Sequence, residues 1–281
     1  MTQPLHAFIY APSRGAWIED PDASPLARAS AAITLLTWNT WFAPYSFDAR
    51  FKALLALIRA RRPDVVCLQE IVAESLAMLL ATPWIRAEYR VSDARGTTFE
   101  SYGVVLLSRL PVLALAIHEL PSNMHRRLLV AEIAVGPRRL VVATVHLESC
   151  EPSRKTRARQ LAEIFPRLRA MGPDCVLAGD FNLCSSWTEE NENLDPGFVD
   201  LWPALRGRAP GYTEDTGVNT MLLNVNDREK TVRFDRILLR SAEGAWKAGS
   251  IELVGTAPIA PTAPDVFPSD HFGLVAVLEA R

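Results

Sequence analysis

The chain has 281 residues, 49% of them hydrophobic, with a formal net charge of -2 and a sequence pI of 6.2. This length and apolar content allow a large buried core, in one α/β domain or in two smaller ones. The charge balance argues against a protein that coats nucleic acid through a broad basic face, although a few phosphates can still be bound locally.

The terminal sequence and the cysteines favour a cytoplasmic protein. No apolar run reaches the roughly 18 residues needed to span a bilayer, and the opening MTQPLHAFIYAPSRGAW lacks the basic and apolar blocks of a secretory signal. The four cysteines form no CxxC pair, which favours reduced thiols. We therefore expect a cytoplasmic location, or a nuclear one in a eukaryote, and no membrane anchor.

Hydrophobic periodicity predicts one α/β domain from residue 33 to residue 281. Residues 1–32 are rich in Pro, Ala and Ser, which indicates a strap or loose extension. Apolar, β-branched runs predict strands at 33–38 and 64–69, and helical spacing predicts a helix between them that starts near Phe47. Further predicted elements are a helix at 72–81, strands at 84–91, 102–107, 112–118, 128–135 and 139–146, a helix at 154–171, a strand at 175–180, a short helix at 198–206, and strands at 232–239, 246–254 and 272–279.

Five strand edges carry polar side chains suited to phosphate chemistry. Each residue alone is better explained as the end of a strand or the cap of a turn, but five such edges together favour a site. Carboxylates, amides and imidazoles are the groups that hold a hard cation, orient a phosphate and activate water. The strings are LLTWN (35–39), VVCLQE (65–70), VVATVHLES (141–149), CVLAGDFN (175–182) and FPSDH (267–271), and their polar residues are Asn39, Gln69, Glu70, His146, Glu148, Asp180, Asn182, Asp270 and His271.

The motifs TWN, LQE, HLES, GDFN and SDH, in this order, resemble the endonuclease/exonuclease/phosphatase superfamily. The resemblance runs from about Ile33 to the C-terminus and is closest to the type-two tyrosyl-DNA phosphodiesterases. It implies a catalytic domain over residues 33–281 with a four-layer α/β sandwich, in which two facing β-sheets are flanked by helices. The strings behind the narrower resemblance are HLES (146–149), PSNMHRRLL (121–129), GYTEDT (211–216), VRFDRILLR (232–240) and FPSDHFGL (267–274).

The same resemblance implies a role for each candidate. Glu70 would hold Mg2+, or Mn2+ in its place, with Asp270 in support. Asp180 would take the proton of the attacking water, and His271, paired with Asp235, would donate to a phosphoryl oxygen. The remaining implied residues are Asn39, Asn182 and His146 in the catalytic set, and Ser149, Arg126 and Tyr102 on the substrate side.

Three residues depart from the pattern of the relatives. Trp41 stands where many have Asp, Cys184 where the tyrosyl-DNA enzymes have Arg, and Glu214 where they have the Trp of YTW. The last two weaken the expected grip on DNA, since a carboxylate beside a DNA strand repels phosphate.

The resulting prediction is a monomeric, Mg2+-dependent phosphodiesterase that uses activated water on a 5′-tyrosyl-DNA or other nucleic-acid-end phosphodiester. A hydrolase of small or lipid phosphoesters, such as inositol phosphates or sphingomyelin, is the alternative. A non-catalytic binding module is the third and least favoured hypothesis.

Overall fold

The structure is a computed structural model that describes residues 2–21 and 31–281. In these residues the strands are β1 Thr2–Leu5, β2 Phe8–Ala11, β3 Ala16–Glu19, β4 Ala32–Asn39, β5 Val65–Ile71, β6 Arg90–Val91, β7 Gly103–Ser108, β8 Val112–Glu119, β9 Arg127–Val135, β10 Arg138–His146, β11 Asp174–Asp180, β12 Val199–Asp200, β13 Glu214–Asp215, β14 Thr231–Val232, β15 Asp235–Ser241, β16 Trp246–Val254 and β17 Gly273–Ala280. The α-helices are α1 Phe47–Arg61, α2 Ala73–Ala81, α3 Pro83–Glu88, α4 Arg154–Met171, α5 Thr188–Asn191, α6 Leu201–Arg206 and α7 Met221–Asn226.

Two large sheets form the centre of the fold. One has seven strands in the order β1-β8-β9-β10-β11-β15-β12, and the other has eight in the order β16-β17-β4-β5-β7-β6-β2-β3. Leu35 and Cys67 of one sheet share a buried core with Val142 and Val176 of the other. Helices α1 and α2 pack on the outer face of the eight-stranded sheet, and α4 packs on the outer face of the seven-stranded sheet. The predicted four-layer sandwich is confirmed.

Each sheet contains one parallel pair of strands at its centre. Strands β4 and β5 pair in parallel with Asn39 opposite Gln69, and β10 and β11 pair in parallel with His146 opposite Asp180. A helix connects each pair, α1 in the first and α4 in the second. Since the carboxyl ends of parallel strands lie at one edge of a sheet, this topology brings the predicted polar strand ends together.

Two predictions about local structure were wrong. Residues 84–91 were predicted to form a strand, but α3 occupies most of this segment and only Arg90 and Val91 form a strand. Pro83 stands at the start of α3, where its fixed φ suits a helix and its missing N–H costs nothing. Residues 2–19 are also not a loose extension, because β1 pairs with β8 and β2 pairs with β6 and β3.

The N-terminal strands lengthen both sheets at their edges. Residues 22–30 lie outside the described residues, and a domain boundary at residue 32 stays a prediction. None of the helices in residues 2–21 and 31–281 is long and apolar enough to cross a membrane.

Candidate active site

The predicted site residues meet at one end of the sandwich. Glu70, His146, Asp180, Asp270 and His271 line a cleft of about 550 Å³. Its wall also includes Ser149 and Asn182 from the predicted set, and Trp41, Phe42, Glu214 and Lys230 from outside it.

Asn39 lies at the end of β4 and connects two carboxylates of the site. Its Nδ2 donates to Glu70 Oε1 at 3.1 Å and to Asp180 Oδ2 at 2.9 Å, and its Oδ1 accepts from Trp41 N at 3.1 Å. Asn39 is only 1% exposed. The amide therefore orients one carboxylate from each sheet.

Glu70 adopts a backbone conformation that is rare for a side-chain-bearing residue. Its φ is 59°, and the pairing of β5 with β7 is irregular between Leu68 and Ile71. This turn directs the carboxylate toward the cleft, and Oε2 accepts from Phe42 N at 3.2 Å. Burial raises the pKa of Glu70, while the amide of Asn39 opposes the rise. Backbone strain of this kind is typical of functional sites.

Asp180 is held in its ionised form at the end of β11. Oδ1 accepts from Asn182 N at 2.8 Å, and Oδ2 lies 3.3 Å from His146 Nε2. Burial alone would raise the pKa of Asp180, but the imidazoles of His146 and His271 and the hydrogen bonds outweigh it and lower the pKa. Asn182 has a left-handed φ of 48°, and its Nδ2 donates to Leu147 O at 3.2 Å.

His146 is a neutral imidazole whose tautomer follows from its neighbours. Burial, followed by the charge of Arg126, lowers its pKa to about 3. Arg126 Nη1 lies 2.9 Å from Nδ1, and a guanidinium can only donate, so Nδ1 accepts and Nε2 carries the proton. That N–H faces Asp180. Arg126 also donates to Ser149 Oγ at 2.7 Å and lies over the ring of Tyr102 at 5.2 Å.

His271 is an imidazolium between two carboxylates. Nδ1 donates to Asp235 Oδ2 at 2.7 Å, and Nε2 lies 3.3 Å from Glu214 Oε1 and 3.9 Å from Asp180 Oδ2. Burial would lower the pKa of His271, but the charges of Asp235, Glu214 and Asp270 outweigh it and raise the pKa well above its usual value. The predicted pairing of Asp235 with His271 is thus present.

The carboxylates on this side of the cleft suit a hard divalent cation. Glu214, Asp270 and His271 offer ligand atoms within 4.8 Å of one another. Burial, with Glu214 and Glu70 nearby, raises the pKa of Asp270 to about 7. A cation would relieve this crowding, and the oxygen-rich set fits Mg2+ or Mn2+ better than a soft metal.

Glu214 lines the cleft, although the sequence did not place it among the candidate site residues. It was interpreted as a charge that repels phosphate, yet Lys230 Nζ lies 2.8 Å from Oε2 and neutralises it. Thr213 fixes its position, since Thr213 O accepts from Phe272 N at 2.6 Å and Oγ1 accepts from Asp235 N at 3.2 Å. The sequence signal that could have assigned Glu214 to the site was the carboxylate within the motif GYTEDT (211–216).

Two other candidates, and Cys184 from the departures, have structural positions. Gln69 Nε2 donates to Thr144 Oγ1 at 3.0 Å between the sheets, and Glu148 accepts from Ser122 Oγ at 2.5 Å in the loop between β8 and β9. Cys184 is 4% exposed, and its Sγ lies 3.1 Å from Ser186 Oγ. None of these three lines the cleft.

Comparison with known proteins supports the assignment of the fold and gives the family of the chain. Residues 36–271 match the family model of the Endonuclease/Exonuclease/phosphatase family. Tyrosyl-DNA phosphodiesterase 2 of Xenopus laevis is 30% identical over 249 residues, which cover 86% of this chain and 65% of that protein. The Rattus norvegicus enzyme of the same name is 28% identical over 266 residues, which cover 92% of this chain and 69% of that protein.

Solved structures show the same architecture. The crystal structure of D. rerio TDP2 complexed with single strand DNA product has a TM-score of 0.79 at 24% identity, and the match covers 89% of this chain and all of that one (100%). Truncated Caenorhabditis elegans TDP2 has a TM-score of 0.75 at 25% identity, and the match covers 89% of this chain and 98% of that one. The predicted resemblance to the tyrosyl-DNA phosphodiesterases is confirmed.

Proposed function

Because the chain belongs to the endonuclease/exonuclease/phosphatase family, we propose that it is a Mg2+-dependent phosphodiesterase that cuts a phosphate ester with activated water. Its proposed substrate is a 5′-tyrosyl-DNA or another nucleic-acid-end phosphodiester. One observation carries the proposal: His271 Nε2 lies 3.9 Å from Asp180 Oδ2, so a proton donor and a carboxylate base face the same point of the cleft. Water and a phosphoryl group that meet there would contact both.

Asp180 is the proposed base. Its lowered pKa keeps it ionised at neutral pH, and the amides of Asn39 and Asn182 fix the carboxylate. The bond that forms joins the water oxygen to phosphorus, and the bond that breaks joins phosphorus to the tyrosyl oxygen. The water proton goes to Asp180, and the tyrosyl group leaves with the electron pair of the broken bond as a phenolate that takes a proton from solvent. The products are a 5′-phosphate end and free tyrosine.

His271 and Arg126 supply positive charge on either side of the phosphate. His271 remains an imidazolium because Asp235 holds Nδ1, and its Nε2–H, which lies 3.3 Å from Glu214 Oε1, would donate to a phosphoryl oxygen when substrate is bound. The N–H of His146 and the hydroxyl of Ser149, both held by Arg126, lie on the other side. Donors that are fixed before reaction stabilise the charge of a transition state without reorganisation.

Glu70 and Asp270 are the proposed metal ligands, with Glu214 beside them. A bound Mg2+ or Mn2+ would neutralise negative charge on the phosphoryl oxygens. Burial, with Glu214 and Glu70 nearby, raises the pKa of Asp270 to about 7, and this supports the assignment because a bound cation would favour the ionised carboxylate.

The pairing of Glu214 with Lys230 also bears on the substrate. An unpaired acid in the cleft would favour the alternative of a small or lipid phosphoester, since it would repel a DNA strand. Lys230 Nζ lies 2.8 Å from Glu214 Oε2 and offsets the charge of the acid, so the acid does not favour the alternative substrate. A nucleic-acid end, the substrate class named for the Xenopus laevis and Rattus norvegicus relatives, is therefore the favoured proposal.

The test is release of tyrosine from a 5′-tyrosyl oligonucleotide, with Mg2+ and with chelator. We expect cleavage with Mg2+, none with chelator, and a loss of at least about 1,000-fold in kcat for Asp180→Asn and for Glu70→Ala. Asp265→Asn is the matched control, because Asp265 is an exposed carboxylate outside the cleft. Cleavage by Asp180→Asn at the wild-type rate would refute the role of Asp180. Activity confined to inositol phosphates or sphingomyelin would move the substrate to the alternative class.

A further inference from the structure

We propose that Phe42 stacks on a flat ring of the substrate, either the aromatic leaving group or the base beside the reacting phosphate. This inference rests on the proposed function and names a further substrate contact within the same site. Phe42 lies in the loop after β4 and lines the cleft.

The ring of Phe42 is only partly covered by its neighbours in the fold. The side chain is 44% exposed, whereas the other large exposed hydrophobic residues in the described parts of the chain are aliphatic. An apolar ring left in water at the rim of an active-site cleft gains free energy when a ligand covers it. Its position therefore favours a ligand contact.

The ring of Phe42 continues a stack that begins at the reaction centre. Its centroid lies 4.8 Å from that of Tyr102, with 31° between the planes. Arg126 lies over the ring of Tyr102 at 5.2 Å, and the same guanidinium holds His146. Phe42 is the outermost layer of this stack, so the next flat group on it would belong to a ligand.

The backbone around Phe42 is fixed before any ligand binds. Phe42 N donates to Glu70 Oε2 at 3.2 Å. Arg50 Nη2 donates to the carbonyl oxygens on both sides of Phe42, at 3.0 Å to Trp41 O and at 2.8 Å to Ala43 O. A platform that is already ordered loses little entropy when a ring stacks on it. The backbone N–H of Phe42 is also bonded directly to a proposed metal ligand, Glu70.

Four phosphodiesters separate the two sources of a flat ring. They combine a thymidine or an abasic 5′-nucleotide with a tyrosyl or a trifluoroethyl leaving group. The quantity compared is the ratio of kcat/KM between wild type and Phe42→Ala on each ester, so that the intrinsic reactivity of the leaving group cancels. Phe42→Leu tests an apolar side chain without a ring, Phe42→Tyr tests rescue by a ring, and Val218→Ala is the control at an exposed site outside the cleft.

We expect Phe42→Ala and Phe42→Leu to lower kcat/KM by roughly 5- to 100-fold, mainly through KM, and Phe42→Tyr to retain activity. The ratio should fall to about 1 on the trifluoroethyl esters if the leaving group stacks, or on the abasic esters if the base stacks. Equal losses on all four esters, or no loss on any of them, overturn the proposal.

Failure of the proposed function gives a different result. If wild type cleaves none of the four esters, binding of a 5′-tyrosyl oligonucleotide and of its abasic counterpart is measured in chelator by fluorescence anisotropy. Weaker binding by Phe42→Ala than by Val218→Ala would support the stacking contact without catalysis. Equal binding by the two variants would refute it.

Discussion

Arg50 is a buried cation that joins the loop after β4 to the loop before β17, which carries Asp270 and His271, and we predict that Arg50→Met loosens both. The residue is 1% exposed, and its guanidinium lies 4.5 Å from the ring centroid of Trp41. Burial lowers the pKa of Arg50 to about 10, which leaves it charged at neutral pH. Its carbonyl acceptors are Tyr45 O at 2.7 Å, Ala43 O at 2.8 Å, Trp41 O at 3.0 Å, Pro268 O at 3.3 Å and Thr40 O at 3.4 Å.

The expected cost follows from the three short bonds. Each short hydrogen bond that is lost leaves a buried or part-buried carbonyl without its donor and costs about 1–1.5 kcal/mol, and the two longer bonds add little. Arg50→Met should therefore lower the free energy of unfolding by about 3–5 kcal/mol. At roughly 2 °C per kcal/mol for a chain of this size, Tm should fall by about 6–10 °C.

The assay is urea denaturation followed by tryptophan fluorescence. Arg59→Met is the matched control, because Arg59 is an exposed arginine on the same helix and should change stability by no more than about 0.5 kcal/mol. Arg50→Lys should recover little, since an ammonium cannot reproduce the planar fork of donors. A loss below about 1 kcal/mol in Arg50→Met would show that the carbonyls are satisfied without the guanidinium.

Two further predictions concern residues next to the reaction centre. Gly179→Ala should lower the free energy of unfolding by at least about 3 kcal/mol and abolish phosphodiesterase activity in the soluble fraction, because φ is +145° and a Cβ would lie 1.9 Å from Val145 O. Gly207→Ala is the control in the same denaturation assay. Its φ is +59° and no atom lies within 4 Å of the added Cβ, so it should cost only about 1 kcal/mol. Lys230→Met should raise KM for an oligonucleotide because it removes the lysine charge that offsets the acid of Glu214 at the cleft. The double variant with Glu214→Gln should restore KM, and no recovery in steady-state kinetics would show that the charge of the pair is not what matters.

The regular part of the fold was predictable because its elements carry clear periodicity. Strands β4, β5, β10 and β11 are apolar runs of seven to nine residues that are buried along most of their length. Residues 84–91 were misread because Trp84 and Ile85 favour a strand by composition. Ile85 is the buried residue of α3, and Trp84 packs against Tyr89. These contacts outweigh the strand preference. The four-residue strands β1–β3 are too short for a periodic signal, and the pairing of β1 with β8 and of β2 with β6 depends on partners far along the chain.

The candidate site was predictable where a residue ends a strand, and less so where it reaches the cleft from a loop. Asn39, Glu70, His146 and Asp180 follow directly from the two parallel pairs. The place of Glu214 depends on the small β13–β14 pair and on hydrogen bonds to residues some 20 to 60 positions away. No local pattern encodes such contacts.

Two of the three departures of this chain from its relatives, Trp41 and Glu214, line the cleft. Trp41 stands where many relatives have an acid, and it is only 7% exposed and packs with Phe267 and Phe272, so little of its ring is free for a ligand. Glu214 stands where the tyrosyl-DNA enzymes have an aromatic residue, and it places an acid beside His271. The exposed ring is provided by Phe42 instead. The base, its orienting amides and the His271–Asp235 pair are retained, so substrate selection is the property that these exchanges would alter.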